Sequence, residues 1–313
     1  MKRKVQDNWY FKEVVPLFIQ YQEIKGLSPK TVDMDKEAIT NFLKRNGLTY
    51  EDKLSIVNEE FFSHFVKRLS DEDISISTKN ICISHIRVFL YWCMGNGYIK
   101  PFKINLLKGQ KSTMKFFTEE EVKKLIEPPS KNCSFIEDRT YTLICFILST
   151  GARANTLLNL KIEDLDFKNR TITYTHLKNK STAIVPMSNS LYKVLSKYLS
   201  NWERKDVGYL FCNKSENQLT LTALETSIRR YCEKRGVKPR GPHRLRHSFA
   251  RMYIISGGDA FTLKRILTHS TMNMTSKYVE LFSSDLNNHI NNFSPLDNLK
   301  GNSSTIKRRN NNV

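Results

Sequence analysis

The stretch Lys108-Gly109-Gln110-Lys111-Ser112-Thr113-Met114-Lys115 is polar, basic and without hydrophobic period, and it divides a chain that is patterned on both sides. Before it, Phe11, Val14, Val15, Phe18 and Ile19 recur at helical spacing, and Gly26 follows as a stop. Ser28-Pro29 reads as an N-cap followed by a first-turn proline, and the helix it opens carries Val32, Ala38, Ile39, Phe42 and Leu43. A third helix is expected over Glu59 to Leu69. A fourth runs from about Thr78 to Met94 and stops at Gly95-Asn96-Gly97. After the stretch, Thr118-Glu119-Glu120-Glu121 is a capping box that starts a new domain. The 313 residues therefore divide into a helical bundle over 1–107, a linker over 108–116 and a second domain over 117–294. The tail, 295–313, is basic and Asn-rich, a composition expected to stay disordered.

The second domain reads as mostly helical with one β insertion. Leu165 to Phe167, Thr171 to Thr175 and Ala183 to Met187 are short and β-favouring, separated by Lys168-Asn169-Arg170 and by Leu177-Lys178-Asn179-Lys180. Helices are expected around Ser190 to Trp202, Leu221 to Arg235, His243 to Ile255 and Phe261 to Leu267. The fold class is thus mainly α: an N-terminal helical bundle plus a mixed α+β domain, mostly helical with a small three-stranded sheet.

Charge limits the partners. Fifty Lys and Arg against 31 Asp and Glu leave a formal charge of +19, which points to a polyanion, with nucleic acid ahead of a membrane surface. No helix is basic on one face and strongly apolar on the other, and the longest mostly apolar stretch, Tyr141 to Leu148, is too short to span a bilayer. The first residues lead into no signal-type apolar run, so a cytoplasmic location is expected. Of the six cysteines no two have C-x-x-C spacing, and they read as reduced core residues. Glu163, Asp164 and Asp166 read as surface or capping residues, and no metal site is expected.

Breaking a DNA backbone without a metal requires fixed cations at an anionic phosphorus, a nucleophile and an acid for the leaving group. Arginine suits the first task, because its planar fork binds phosphate oxygens bidentately and stays charged. Arg153 follows the helix-ending Gly151. His243 and Arg246 lie three apart on one helix face. Lys178 sits in a turn between two strands, and His269 precedes Tyr278 by nine residues. Each of these taken alone has an ordinary structural reading: a solvated lysine, a packed histidine, a core tyrosine.

Their order is more specific: Arg, hairpin Lys, His-x-x-Arg, His, Tyr. Thr150-Gly151-Ala152-Arg153, Lys178-Asn179-Lys180, Gly241-Pro242-His243-Arg244-Leu245-Arg246-His247-Ser248-Phe249-Ala250, and Leu267-Thr268-His269-Ser270 through Lys277-Tyr278 resemble the boxes of the tyrosine recombinase (phage integrase) family. The resemblance covers roughly residues 10 to 290 and is to the simpler Xer-like and Cre-like two-domain members. It implies that the bundle is a core-binding domain and the second domain a catalytic one. Two positions depart from the pattern. Thr156 stands where an acidic residue often follows the first box, and Thr268 replaces the usual Gly before His269.

The resemblance also implies roles. Tyr278 is the nucleophile that forms a 3′-phosphotyrosyl bond, Arg153 and Arg246 clamp the non-bridging oxygens, and Lys178 is the acid for the leaving 5′-oxygen. His243 helps take the tyrosine proton and His269 donates to the phosphate. Other tyrosines, and His247, are read as packing residues. No metal, ATP or other cofactor is implied. The partner is double-stranded DNA, held as a homotetramer on two sites, with a monomer or dimer in its absence and no membrane. Candidate backbone-phosphate ligands are Lys30, Lys36, Lys79, Arg87, Lys108 and Lys111. The integrase of a mobile element is favoured. The alternatives are an Xer-like resolvase of chromosome or plasmid dimers, a non-catalytic DNA-binding regulator on the same fold, and a type IB topoisomerase.

Overall fold

The computed structural model describes residues 8–109, 115–175, 182–202 and 208–268, together with residues 271, 272, 275, 276 and 278. The chain forms two compact units, Met1–Ser112 and Thr113–Val313.

The first unit contains α1 (Phe11–Ile24), α2 (Pro29–Arg45), α3 (Glu59–Asp71) and α4 (Ile76–Asn96). Local sequence fixes the ends. Ser28 Oγ accepts from the Thr31 N–H at the start of α2, Asn58 caps α3 and Ser75 caps α4. Gly97, at φ 78°, closes α4 in the left-handed conformation that glycine adopts without steric cost. Phe11, Phe18, Phe42, Phe65 and Phe89 fill the core, with Phe42 and Phe65 edge-to-face at 4.8 Å. A buried polar junction joins three helices: Gln22 of α1 donates to Asp35 of α2, and His85 of α4 binds the other carboxylate oxygen.

One proposed phosphate ligand is corrected here. Lys79 is buried, 8% exposed, and its ammonium donates to the Ser70 carbonyl at 2.6 Å. The carbonyl takes one of the three ammonium donors and burial covers most of the side chain, so in this conformation Lys79 is turned into the unit and not toward a ligand at its surface. Lys30, Lys36 and Lys108 are exposed and Arg87 is half-buried. Lys111 lies outside the described residues.

The second unit is mostly helical: α5 (Glu119–Leu125), α6 (Phe135–Thr150), α7 (Ala154–Asn159), α8 (Asn189–Asn201), α9 (Leu221–Lys234), α10 (Pro242–Ile255) and α11 (Ala260–Ile266). The Thr118–Glu121 capping box opens α5 as its sequence requires. α6 is the central element and packs against α8, α9 and α10. Strands β1 (Leu165–Asp166), β2 (Thr171–Tyr174) and β3 (Ala183–Pro186) form an antiparallel sheet in that order. Ile172 pairs with Leu165 and with Val185, so period-2 alternation puts the three apolar side chains into the core together. Among the described residues no helix is long and apolar enough to cross a membrane.

Gly151 sets how closely the site elements approach. It caps α6 at φ 64°, and a Cβ there would collide with Leu267 and come within 2.6 Å of the Phe249 ring. Only glycine lets the end of α6 lie directly on α10 and the end of α11.

Candidate active site

Three distant segments meet at the Leu267 carbonyl. Arg246 on α10 is 3% exposed and spans two acceptors, with Nη1 donating to Gly151 O at 2.6 Å and Nη2 to Leu267 O at 2.9 Å. Arg153 occupies the N-cap position of α7 without a side-chain capping bond, and its Nη1 donates to the same Leu267 oxygen at 3.2 Å. That nitrogen also donates to Thr268 O at 3.3 Å and Thr268 Oγ1 at 2.9 Å. Sharing one carbonyl forces the two guanidiniums together. Burial, and then the neighbouring Arg153 charge, lower Arg246 to about 10, so it remains cationic at neutral pH. The groups acting on Arg153 and Arg246 include the Tyr278 phenol, which lies in the field of both. Two cations held this close by neutral carbonyls form a site that an anion would complete.

Tyr278 is 4% exposed, and its hydroxyl lies 2.7 Å from Nδ1 of His247. Burial raises the phenol above its ordinary value, and the Arg246 and Arg153 charges oppose that shift. His243 and His247 are one helical turn apart on α10, with ring centroids at 4.1 Å. The resemblance implies that His243 helps take the tyrosine proton, and the sequence reading treats His247 as packing. In the structure Tyr278 meets His247, one turn further along α10, while His243 is exposed beside the arginines. The spacing of four residues was the available signal, but it does not say which ring the phenol meets. Phe117 N–H donates to Ser248 Oγ at 2.7 Å and so ties the start of the unit to the same helix. Lys178 and His269 lie outside the described residues. Among those described, no three His, Cys, Asp or Glu side chains gather as a metal site.

Burial, then the charges of His243, Arg244 and Arg246, push His247 down to about 4. It is therefore neutral at neutral pH, and in the tautomer protonated on Nε2 its Nδ1 accepts from the phenol. The linkage has a definite sign. Between about pH 4 and 6.5 the unfolded chain binds a proton that the folded chain refuses, so stability falls as pH falls through that window. The full shift corresponds to a loss on the order of 3 kcal/mol between about pH 7 and 4. Melting temperature followed across this range should fall less steeply for His247→Phe than for wild type. Parallel profiles would contradict the assignment.

Residues 115–284, more than half of the chain, match the Phage integrase family. The chain belongs to that family. As a tyrosine recombinase it is an enzyme that cleaves and rejoins DNA. It is 29% identical to the tyrosine recombinase XerA of Pyrococcus furiosus, a match covering 92% of this chain and 96% of that protein. It is 26% identical to the tyrosine recombinase XerC of Oceanobacillus iheyensis, over 85% of this chain and 91% of that one. Its fold is shared with the XerH site-specific recombinase in a post-cleavage complex with a palindromic difH substrate, at a TM-score of 0.70 and 18% identity over 94% of this chain and 99% of XerH. The Tn1549 transposon integrase in complex with a circular intermediate DNA gives a TM-score of 0.69 at 19% identity, over 86% and 94%.

Proposed function

We propose that this tyrosine recombinase cuts one strand of a duplex through Tyr278 while Arg153 and Arg246 hold the phosphate. The supporting observation is the shared Leu267 carbonyl, which gathers both guanidiniums within electrostatic reach of one phenol. The Tyr278 oxygen forms a bond to phosphorus and the bond from phosphorus to the 5′-oxygen breaks. The phenol proton leaves toward His247, with His243 next to it, and the 5′-oxygen takes a proton from Lys178, the role its resemblance gives it. His269 donates to the phosphate on the same basis. The 5′-hydroxyl of a partner strand then reverses the step and displaces the tyrosine. The covalent link conserves the phosphodiester energy, so the scheme requires no ATP. Two guanidiniums supply the positive charge that metal ions supply in other phosphoryl transfers.

The duplex is the recombination site. Proteins of the same fold captured on difH and on a transposon circular intermediate DNA support this, as does the +19 charge. The first unit acts as the core-binding domain, and Lys30, Lys36, Arg87, Lys108 and Lys111 contact phosphates. Four protomers assemble on two sites in the cytoplasm, and the element served is mobile; resolution of chromosome or plasmid dimers is the alternative. The deciding experiment traps wild-type protein on genomic DNA from the source cell and sequences the covalently attached ends. Ends at the borders of one element support the integrase role, and a single chromosomal or plasmid locus overturns it. Absence of any covalent DNA would overturn the cleavage mechanism itself.

A further inference from the structure

The chain leaves α11 through Leu267 and enters Thr268 at φ 51°. That is the left-handed region, which a β-branched side chain adopts only at a cost in steric strain. The other non-glycine residues with positive φ among those described, Arg170 and Glu216, have unbranched Cβ atoms. The turn itself does not require threonine: its N–H bonds back to Arg265 O at 3.0 Å, a closure that glycine makes with less strain. The side chain therefore has another use. Its hydroxyl is the shortest of the three bonds at Arg153 Nη1, at 2.9 Å, and the left-handed backbone brings the residue's own carbonyl to the same nitrogen.

We propose that Thr268 is a positioning residue for the phosphate clamp, its strained turn pinning Nη1 of Arg153 so that the opposite edge of the guanidinium is presented to the scissile phosphate. Among the described residues Nε and Nη2 of Arg153 donate to no protein acceptor, and the side chain is half-buried, so this edge is accessible. Pinning one nitrogen to three acceptors fixes the plane of a rigid fork before the phosphate arrives. All three acceptors are neutral. Carboxylate support would offset the cation, whereas a hydroxyl and two carbonyls orient it and leave its charge for the phosphate. Thr156, buried on α7 three residues beyond Arg153, adds no charge either.

The inference rests on Arg153 being a phosphate ligand, and the test separates the two ideas. Single-turnover formation of the covalent adduct is measured on the mapped DNA ends, beside the dissociation constant for the same DNA. Thr268→Val keeps the branched shape and removes the acceptor, so adduct formation slows about 10-fold or more with DNA affinity within about 3-fold. Thr268→Ser keeps the hydroxyl and stays within about 3-fold of wild type. Thr268→Gly relieves the strain and raises the melting temperature by about 2–4 °C, yet it is as slow as Thr268→Val. A gain in stability with a loss in rate is not what a purely structural threonine would give. The proposal is overturned if Thr268→Val or Thr268→Gly reacts at the wild-type rate, or if Thr268→Ser is as slow as Thr268→Val. Should wild type form no adduct, the cleavage mechanism fails; a wild-type adduct alongside an unaffected Thr268→Val removes only the role of Thr268.

Discussion

Tyr278→Phe binds its DNA with unchanged affinity and forms no covalent protein–DNA adduct. The substitution removes one oxygen and leaves the ring that fills the cluster with Phe249, Ala250, Leu263 and Leu267. The packing survives, and the folding cost is about the 1 kcal/mol of the lost bond to His247. The chemistry has no substitute. A phenol of ordinary pKa near 10 attacks at neutral pH only with a proton acceptor or a cationic field at hand. Tyr278 has both, in His247 and in the two arginines. The informative control is Tyr174, whose phenol also lies in the field of Arg246 but is held in β2 at 2% exposure. Tyr174→Phe should form adduct normally. The measurement is a denaturing gel of end-labelled nicked substrate, on which covalent protein retards the label. A retarded band from Tyr278→Phe would show that another residue is the nucleophile.

Much of this was legible in the sequence wherever a local rule decides the structure. Ser28 and Thr118 cap helices because their side chains reach N–H groups three residues away, and β2 and β3 alternate because one face is buried. α6 was harder to read. Its buried residues run from Asp138 to Thr150 on nearly every side, since α8, α9 and α10 all pack on it, and a helix without a polar stripe shows little period. The site divides in the same way. The order of Arg153, His243, Arg246 and Tyr278 could be read along the chain, but the partner of each group could not. That His247 meets the phenol depends on where Tyr278 returns to α10. The Lys79 ammonium facing the Ser70 carbonyl looks, in sequence, like any solvated lysine on a helix. The left-handed turn at Thr268 contradicts its own residue preference, and sites under functional demand are where such conflicts are expected.

Arg153→Lys lowers the rate of adduct formation on the order of 10²–10³-fold while DNA affinity changes little. The side chain does two things at once: Nη1 is held by Leu267 O, Thr268 O and Thr268 Oγ1, and the opposite edge is left for the phosphate. Guanidinium spreads these tasks over separate nitrogens in one plane. An ammonium has a single nitrogen, so it either keeps the carbonyl and hydroxyl acceptors and stands back from the phosphate, or leaves them and loses its orientation. Net charge is the same in both proteins, so long-range attraction to DNA is retained, and the loss appears in the chemical step. Arg246 provides an internal comparison, because it is tied to Gly151 O and Leu267 O by two different nitrogens and is far more buried. Arg246→Lys therefore costs stability as well as rate, whereas Arg153→Lys costs rate alone. Single-turnover kinetics, DNA titration and thermal melting on both variants separate these effects. An Arg153→Lys protein that reacted at the wild-type rate would show that charge alone suffices at this position and that the fork has no role in holding the phosphate.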